Sequence, residues 1–171
     1  MGNELGGTEF KQEELDELYK AVGFIVVQWG LAEQSLDCIV ANLYQNLGGN
    51  SLRKRLPKML TDKLKYVGEC LSELPEIHTL KTEGESLVLK FKGFSSNRHN
   101  LIHGALGNLA LEQGVFRFSK LDIDKEHDIH VVRDVFFDPK DFPEIAKYLT
   151  DLGNQAATFG HKLLEFADSP E

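Results

Sequence analysis

The stretch Leu87-Val88-Leu89-Lys90-Phe91-Lys92-Gly93-Phe94-Ser95-Ser96-Asn97-Arg98-His99-Asn100-Leu101-Ile102-His103-Gly104 decides how the chain is read. Apolar residues recur at Ile77, Leu80, Leu87, Phe91 and Phe94, with Gly84 in step, the three-four spacing of an amphipathic helix. Two further steps along the same stripe reach Arg98 and then Leu101. An arginine therefore stands where the pattern asks for an inward apolar side chain. Desolvating a guanidinium is costly unless a partner meets it, so this residue calls for a reason. Around it, Ser95 to Gly104 is the densest run of nitrogen-bearing side chains in an acidic protein of net charge −8.

Working outward from this helix, the first element is expected from about Thr8 to Leu47. Its stripe is Leu15, Leu18, Val22, Ile25, Trp29, Ala32, Leu36, Ile39, Leu43 and Leu47, with Thr8 as N-cap. Gly23 and Gly30 suggest a bend or a close helix approach inside it, and Gly48-Gly49-Asn50 a left-handed end. A second helix is expected over about Leu56 to Leu74, with Pro57 in its first turn and Pro75 after it. Beyond Gly104 the period shortens toward two. Leu109–Glu112, Val115–Ile123 and His130–Phe137 read as strands, with turns at Gln113-Gly114 and Asp124–Asp128. A last helix starts near Asp138 or Asp141, with Asp141 and Glu144 spaced as a capping box, and carries its stripe to Phe166. The expected fold is mostly α: an antiparallel helical bundle with a small antiparallel β-ribbon inserted at about 108–137, before the last helix. One domain over 8–168 accounts for the chain.

The composition narrows the function classes. With 27 acidic residues against 19 Lys and Arg, no broad basic surface for duplex DNA or anionic membranes is expected. A small positive cleft for one phosphate is compatible with that balance. Two cysteines, Cys38 and Cys70, give neither a disulfide framework nor metal-ligand spacing, so a cytoplasmic location is expected. No apolar run reads as a membrane span and the start has no basic leader. The basic cluster Arg53-Lys54-Arg55 and Lys58 reads as a solvated helix start or a guide for RNA.

The central residues suit phosphate chemistry. Arg98 offers a planar fork of donors for phosphate oxygens, and His103 brings an imidazole that can pass a proton either way. His99 and Asn100 stand ready to position a phosphate or a ribose. Five helical steps place His103 about 140° around the axis from Arg98. Convergence then needs either a distorted last turn or a second chain. Against this stand structural readings: Arg98 paired to Glu33 of the first helix, and His103 as a helix C-cap with Gly104 as a left-handed stop. His99 and His103, four apart, also match two zinc ligands, but Asn100 stands where a metalloprotease helix has its glutamate, and neither metal nor cofactor is expected.

Arg98-His99-x-x-x-His103 resembles the Arg-x4–6-His motif of HEPN domains (higher eukaryotes and prokaryotes nucleotide-binding), in which a polar residue commonly follows the arginine. The helix order and the place of the motif late in a central helix are similar over most of the chain. The pair Trp29-x-x-x-Glu33 is similar to one in related bacterial members. The resemblance implies a metal-independent endoribonuclease, a toxin or phage-defence effector acting as a homodimer, with RNA or nucleotide as ligand and an antitoxin protein as partner. It assigns catalysis to Arg98 and His103, with His99, Asn100 and Glu33 in support. The alternative is a non-catalytic helical module that binds nucleotide, RNA or a partner protein. Two features depart from the family. Ala105 occupies the place of a tyrosine that one branch has modified by a nucleotidyltransferase, and the ribbon is not part of the minimal domain.

Overall fold

The computed structural model describes residues 10–107, 115–124 and 126–167. They form four α-helices and a small antiparallel sheet: α1 Gln12–Gln45, α2 Leu60–Glu73, α3 Lys81–His103, β1 Ala105–Leu106, β2 Phe116–Asp124, β3 Ile129–Phe137 and α4 Phe142–Ala167. The mostly helical expectation holds, as does the place of the sheet before the last helix. By contacts the chain divides into two compact units, Met1–Val26 with Ser96–Lys147, and Val27–Ser95 with Tyr148–Glu171.

The second unit is helical, and Trp29 is its central anchor. Trp29 is 1% exposed and lies 5.7 Å edge-on from Phe91 and 5.8 Å from Phe94. Phe94 in turn stacks on Tyr148 at 5.7 Å, whose hydroxyl donates to the Lys90 carbonyl at 2.7 Å. Such ring pairs add about 0.5–1.5 kcal/mol each beyond the area they bury. Glu83 meets Lys162 and Lys90 meets Gln155, so α3 and α4 run antiparallel. Gln28 and Leu31 share a groove with Thr150 and Gly153, and Asn42 shares one with Gly160 and Leu164, so α1 and α4 run in the same direction. An ion pair between Lys63 and Asp37 ties α2 to α1.

Gly84 is where a side chain cannot be afforded. A Cβ there would lie 2.5 Å from Leu71 Cδ1 and 2.9 Å from Phe159 Cζ. Gly153 on α4 has nothing within 4 Å of the same position. Both substitutions to alanine gain about 1 kcal/mol of helix propensity. Gly84→Ala also overpacks the core, a cost of about 1–3 kcal/mol. Thermal melts are therefore expected to show Gly153→Ala raising the midpoint and Gly84→Ala lowering it. Gly23 and Gly30 likewise have nothing within 4 Å, so they do not mark a close helix approach.

Several boundaries differ from the sequence reading. α2 starts at Leu60 rather than Leu56, leaving Pro57 in the preceding loop. That loop is tied down: Arg53 makes two 2.9 Å bonds to Glu69, and Tyr44 donates to the Lys54 carbonyl. Arg53 therefore serves the fold instead of standing as a free cation, and its guanidinium holds the Glu69 carboxyl below the usual carboxylate range. Pro75 opens a 3-10 turn, Pro75–Leu80, so Ile77 and Leu80 are buried from a turn ahead of α3. α1 ends at Gln45, and Gly48, at φ 78°, supplies the expected left-handed residue. By length and composition α1 does reach what a bilayer span requires, against the sequence reading, yet Ile25, Trp29, Leu36, Ile39 and Leu43 on its stripe are buried in this chain.

In the first unit, β2 and β3 pair without interruption from Phe116↔Phe137 to Asp124↔Ile129. Their turn is closed by Asp124, which accepts from the Glu126 amide at 3.0 Å, and by Asp128 at φ 51°, a left-handed position that aspartate tolerates. Phe116, Phe118 and Phe137 are buried, and Phe116 stacks on Phe10 at 4.7 Å. The sheet begins earlier than expected. β1 follows Gly104 directly and pairs with β2 at Ala105↔Ser119 and Leu106↔Phe118. Asp138 caps the 3-10 turn Pro139–Asp141 by accepting from the Lys140 amide, and α4 then starts at Phe142. The expected Thr8 cap, the Leu109–Glu112 strand and the Gln113-Gly114 turn lie outside the described residues.

Candidate functional site

The motif occupies the last two turns of α3, within the first unit. Leu101 is buried and seats this segment, and the helix stays α-helical to its end, where the Gly104 amide donates to the Asn100 carbonyl at 2.9 Å. No distorted turn swings His103 toward Arg98. On a regular helix the two diverge by about 140°. The residues that one chain does bring together are His99 and His103, exposed and with ring centroids 4.7 Å apart. Arg98 and Asn100 are half-buried beside them.

Arg98 carries the anomaly that its place in the stripe announced. Its Nε is buried without a hydrogen-bond partner, and Arg98 enters no ion pair among the described residues. Glu33 has another use. It accepts from Trp29 Nε1 at 2.8 Å, one turn away on α1 in the helical unit.

Gly104 is not a left-handed stop: Gly48 is the glycine with positive φ among the described residues. It is small for a steric reason. A Cβ on Gly104 would stand 2.5 Å from the Asn100 carbonyl oxygen and 3.0 Å from Phe118 Cβ. The end of α3 thus lies against the face of β2 that presents Phe118. Alternation puts Lys120 and Asp122 on that same face. Both act electrostatically on His99. Partial desolvation, then Lys120, His103 and Arg98, hold the His99 imidazole below its usual range, against a smaller opposite pull from Asp122. A lowered value leaves His99 more neutral near pH 7 and able to accept a hydrogen bond. Asp122 accepts from the Ile123 amide at 2.9 Å and pairs with Arg133 at 3.2 Å, and the amide bond first, then the charges of Lys120 and Arg133, hold its carboxyl low.

Lys120, Asp122 and Arg133 are the members of this cluster that the sequence reading missed. The signal was present: Phe116 and Phe118 define the inward alternation of β2, and its next two steps land on charges. That is the same anomaly as Arg98 on α3. Arg117 lies on the opposite face, 3.9 Å from Asp134, and it too has a buried Nε without a hydrogen-bond partner among the described residues.

The arrangement can bind an anion through Arg98 and move a proton through His103 or His99. Another cleft, of about 240 Å³, lies between α1 and α4 in the helical unit, lined by Ser35, Cys38, Asn42, Gly160 and His161 among others. Its lining includes no arginine or lysine to hold a phosphate. Compared with protein-family models, curated proteins and solved structures, the chain matches none.

Proposed function

We propose that this protein is a HEPN-like, metal-independent endoribonuclease that works as a homodimer and serves as a toxin or defence effector held in check by a partner protein. The observation that carries the reading is Arg98: a guanidinium on an inward stripe, with a buried Nε that no group among the described residues satisfies. A half-buried structural arginine normally has its desolvated donor met by an acceptor, because a buried N–H left unmade costs stability. Donors left unspent suit an anion that arrives from outside. An exposed imidazole on the same two turns adds the proton-transfer group.

In the reaction, His103 takes the proton from a ribose 2′-hydroxyl and that oxygen attacks the adjacent phosphorus. The P–O5′ bond breaks, and the departing oxygen takes up a proton. The products are a 2′,3′-cyclic phosphate and a 5′-hydroxyl. Arg98 stabilises the charge that grows on the non-bridging oxygens, and His99 and Asn100 position the scissile unit. Glu33 supports from the scaffold by holding Trp29. The divergence of Arg98 and His103 on one helix supports a site completed by two chains.

RNA cleavage by wild type and His103→Ala, both in excess EDTA and with product ends mapped, tests the reading. Cleavage that persists in EDTA, yields cyclic phosphate ends and disappears in the variant is expected. Silence from wild type on several RNAs would favour a binding module instead, and equal cleavage by both proteins would remove His103 from the mechanism.

A further inference from the structure

β3 is the outer strand of the sheet, and β2 is its one partner among the described residues. Every second residue of the nine in Ile129–Phe137 therefore points its backbone N–H and C=O toward an edge left unpaired among the described residues. Natural edges are usually guarded by a bulge, a proline, lysines or simple shortness. This one is long, has no proline or lysine, keeps an unbroken register with β2, and carries two charges, Arg133 and Asp134. Its neighbourhood is apolar as well as open. Val132 is 67% exposed and its register partner Leu121 is 64% exposed, with Phe136 exposed on the same face.

The sequence of β3 indicates which strand fits. Two copies related by a two-fold axis perpendicular to the sheet pair antiparallel and keep matching faces together. One residue of β3 then faces itself on the axis. Centring on Arg133 sets two guanidinium groups opposite each other, and centring on Asp134 sets two carboxylates opposite each other, both unfavourable. Centring on Val132 removes both conflicts. Val132 then meets the partner's Val132, Asp134 lies opposite the partner's His130, and Ile129 lies opposite the partner's Val135.

We propose that β3 is a homodimer interface, pairing antiparallel with β3 of a second copy about Val132 to give one six-stranded sheet. The interface stands on the edge and its register alone. Its consequence for chemistry rests on the ribonuclease reading. Gly104 against Phe118 puts the motif on the face that carries Lys120 and Asp122, and these two flank Leu121, the register partner of Val132. The two-fold axis therefore passes at the level of Leu121, between the Lys120 and Asp122 that act on His99. Both motifs fall on one face of the joined sheet, over β2 strands three spacings apart, or about 14 Å. Between them the floor carries Val131 and Arg133 from each chain, since Arg133 opposes Lys120 and Val131 opposes Asp122 on that face. Arg133 on that floor is paired with Asp122, so the positive charge offered to an RNA backbone comes from Lys120 and from Arg98 of each motif.

The test is directed cross-linking of the full chain in a Cys38→Ser background, which removes the exposed native thiol and leaves the buried Cys70. Facing residues of an antiparallel pair have Cα atoms about 4.5–5.5 Å apart, within disulfide range. Val132→Cys is expected to give a disulfide-linked dimer under mild oxidation at least about tenfold faster than Leu121→Cys, which is as exposed but lies one strand farther from the axis. A mixture of His130→Cys and Asp134→Cys chains is expected to link to each other faster than either links to itself. A wild-type protein that is monomeric by light scattering, or equal linking at Val132→Cys and Leu121→Cys, would overturn the interface. The RNA assay is read separately: cross-linking without cleavage keeps the interface and removes the ribonuclease, and cleavage without cross-linking does the reverse.

Discussion

Equal amounts of Arg98→Ala and His103→Ala chains, mixed and allowed to exchange subunits, are expected to recover about a quarter of wild-type RNA cleavage, although each variant alone is nearly inactive. Loss of a general base costs about 100- to 10,000-fold, and loss of the cation that stabilises the phosphoryl oxygens a similar factor. The recovery follows from the geometry of α3, which is regular through its last residue. If Arg98 of one chain works with the partner's His103, a mixed dimer holds one complete pair and one pair lacking both groups. Random mixing makes half of the dimers mixed, each with half of its sites intact, which yields the quarter. A site built within one chain would show no recovery at any ratio. The same mixture made from Val132→Cys chains locked by oxidation before mixing should not recover, because locked dimers cannot exchange.

Much of the scaffold is legible because the stripes of α1, α3 and α4 are long and each repeats over several turns. Leu18, Ile25, Trp29, Leu36, Phe91, Leu149, Leu152, Phe159 and Leu163 are buried where their spacing places them. The errors fall where local chemistry overrides periodicity. Arg53 and Tyr44 hold the segment before α2 as a loop although Leu56 and Leu60 keep helical spacing. Pro75 turns the start of the third stripe into a 3-10 segment. β1 is two residues long, too short to carry an alternation, and exists because the end of α3 is seated on β2. Gly104 shows the difference most clearly. A glycine after a helix reads as a left-handed cap, while here the missing side chain makes room for Phe118, a residue 14 positions ahead that no local pattern ties to it. On the site, Arg98 and His103 were visible as types and spacing, and their divergence followed from helical geometry. Lys120 and Asp122 needed the strand alternation to be carried past its apolar residues.

Trp29→Ala is expected to destabilise the protein by about 3–5 kcal/mol, the cost of removing a large, fully buried aromatic side chain. Domains of this size are stable by about 5–15 kcal/mol, so the variant stands near the edge of folding. Urea titration should show the midpoint falling with the slope unchanged, the mark of lost stability without a new denatured state. Two substitutions separate packing from hydrogen bonding. Glu33→Leu leaves the Trp29 N–H buried with no acceptor and is expected to cost about 1–3 kcal/mol, while Glu33→Gln keeps an acceptor oxygen within reach and should cost less than about 1 kcal/mol. If Glu33→Gln cost as much as Glu33→Leu, the carboxylate charge rather than the bond to Trp29 would be what the fold requires. Arg98→Ala supplies the counterpart. Its Nε is buried and unsatisfied, so removing it takes away a desolvated donor along with its packing, and the change in stability should stay within about 1 kcal/mol. A variant that leaves the fold intact and abolishes cleavage, set beside one that weakens the fold through Trp29, would show that the fold does not require Arg98. Such a residue is explained by what it binds.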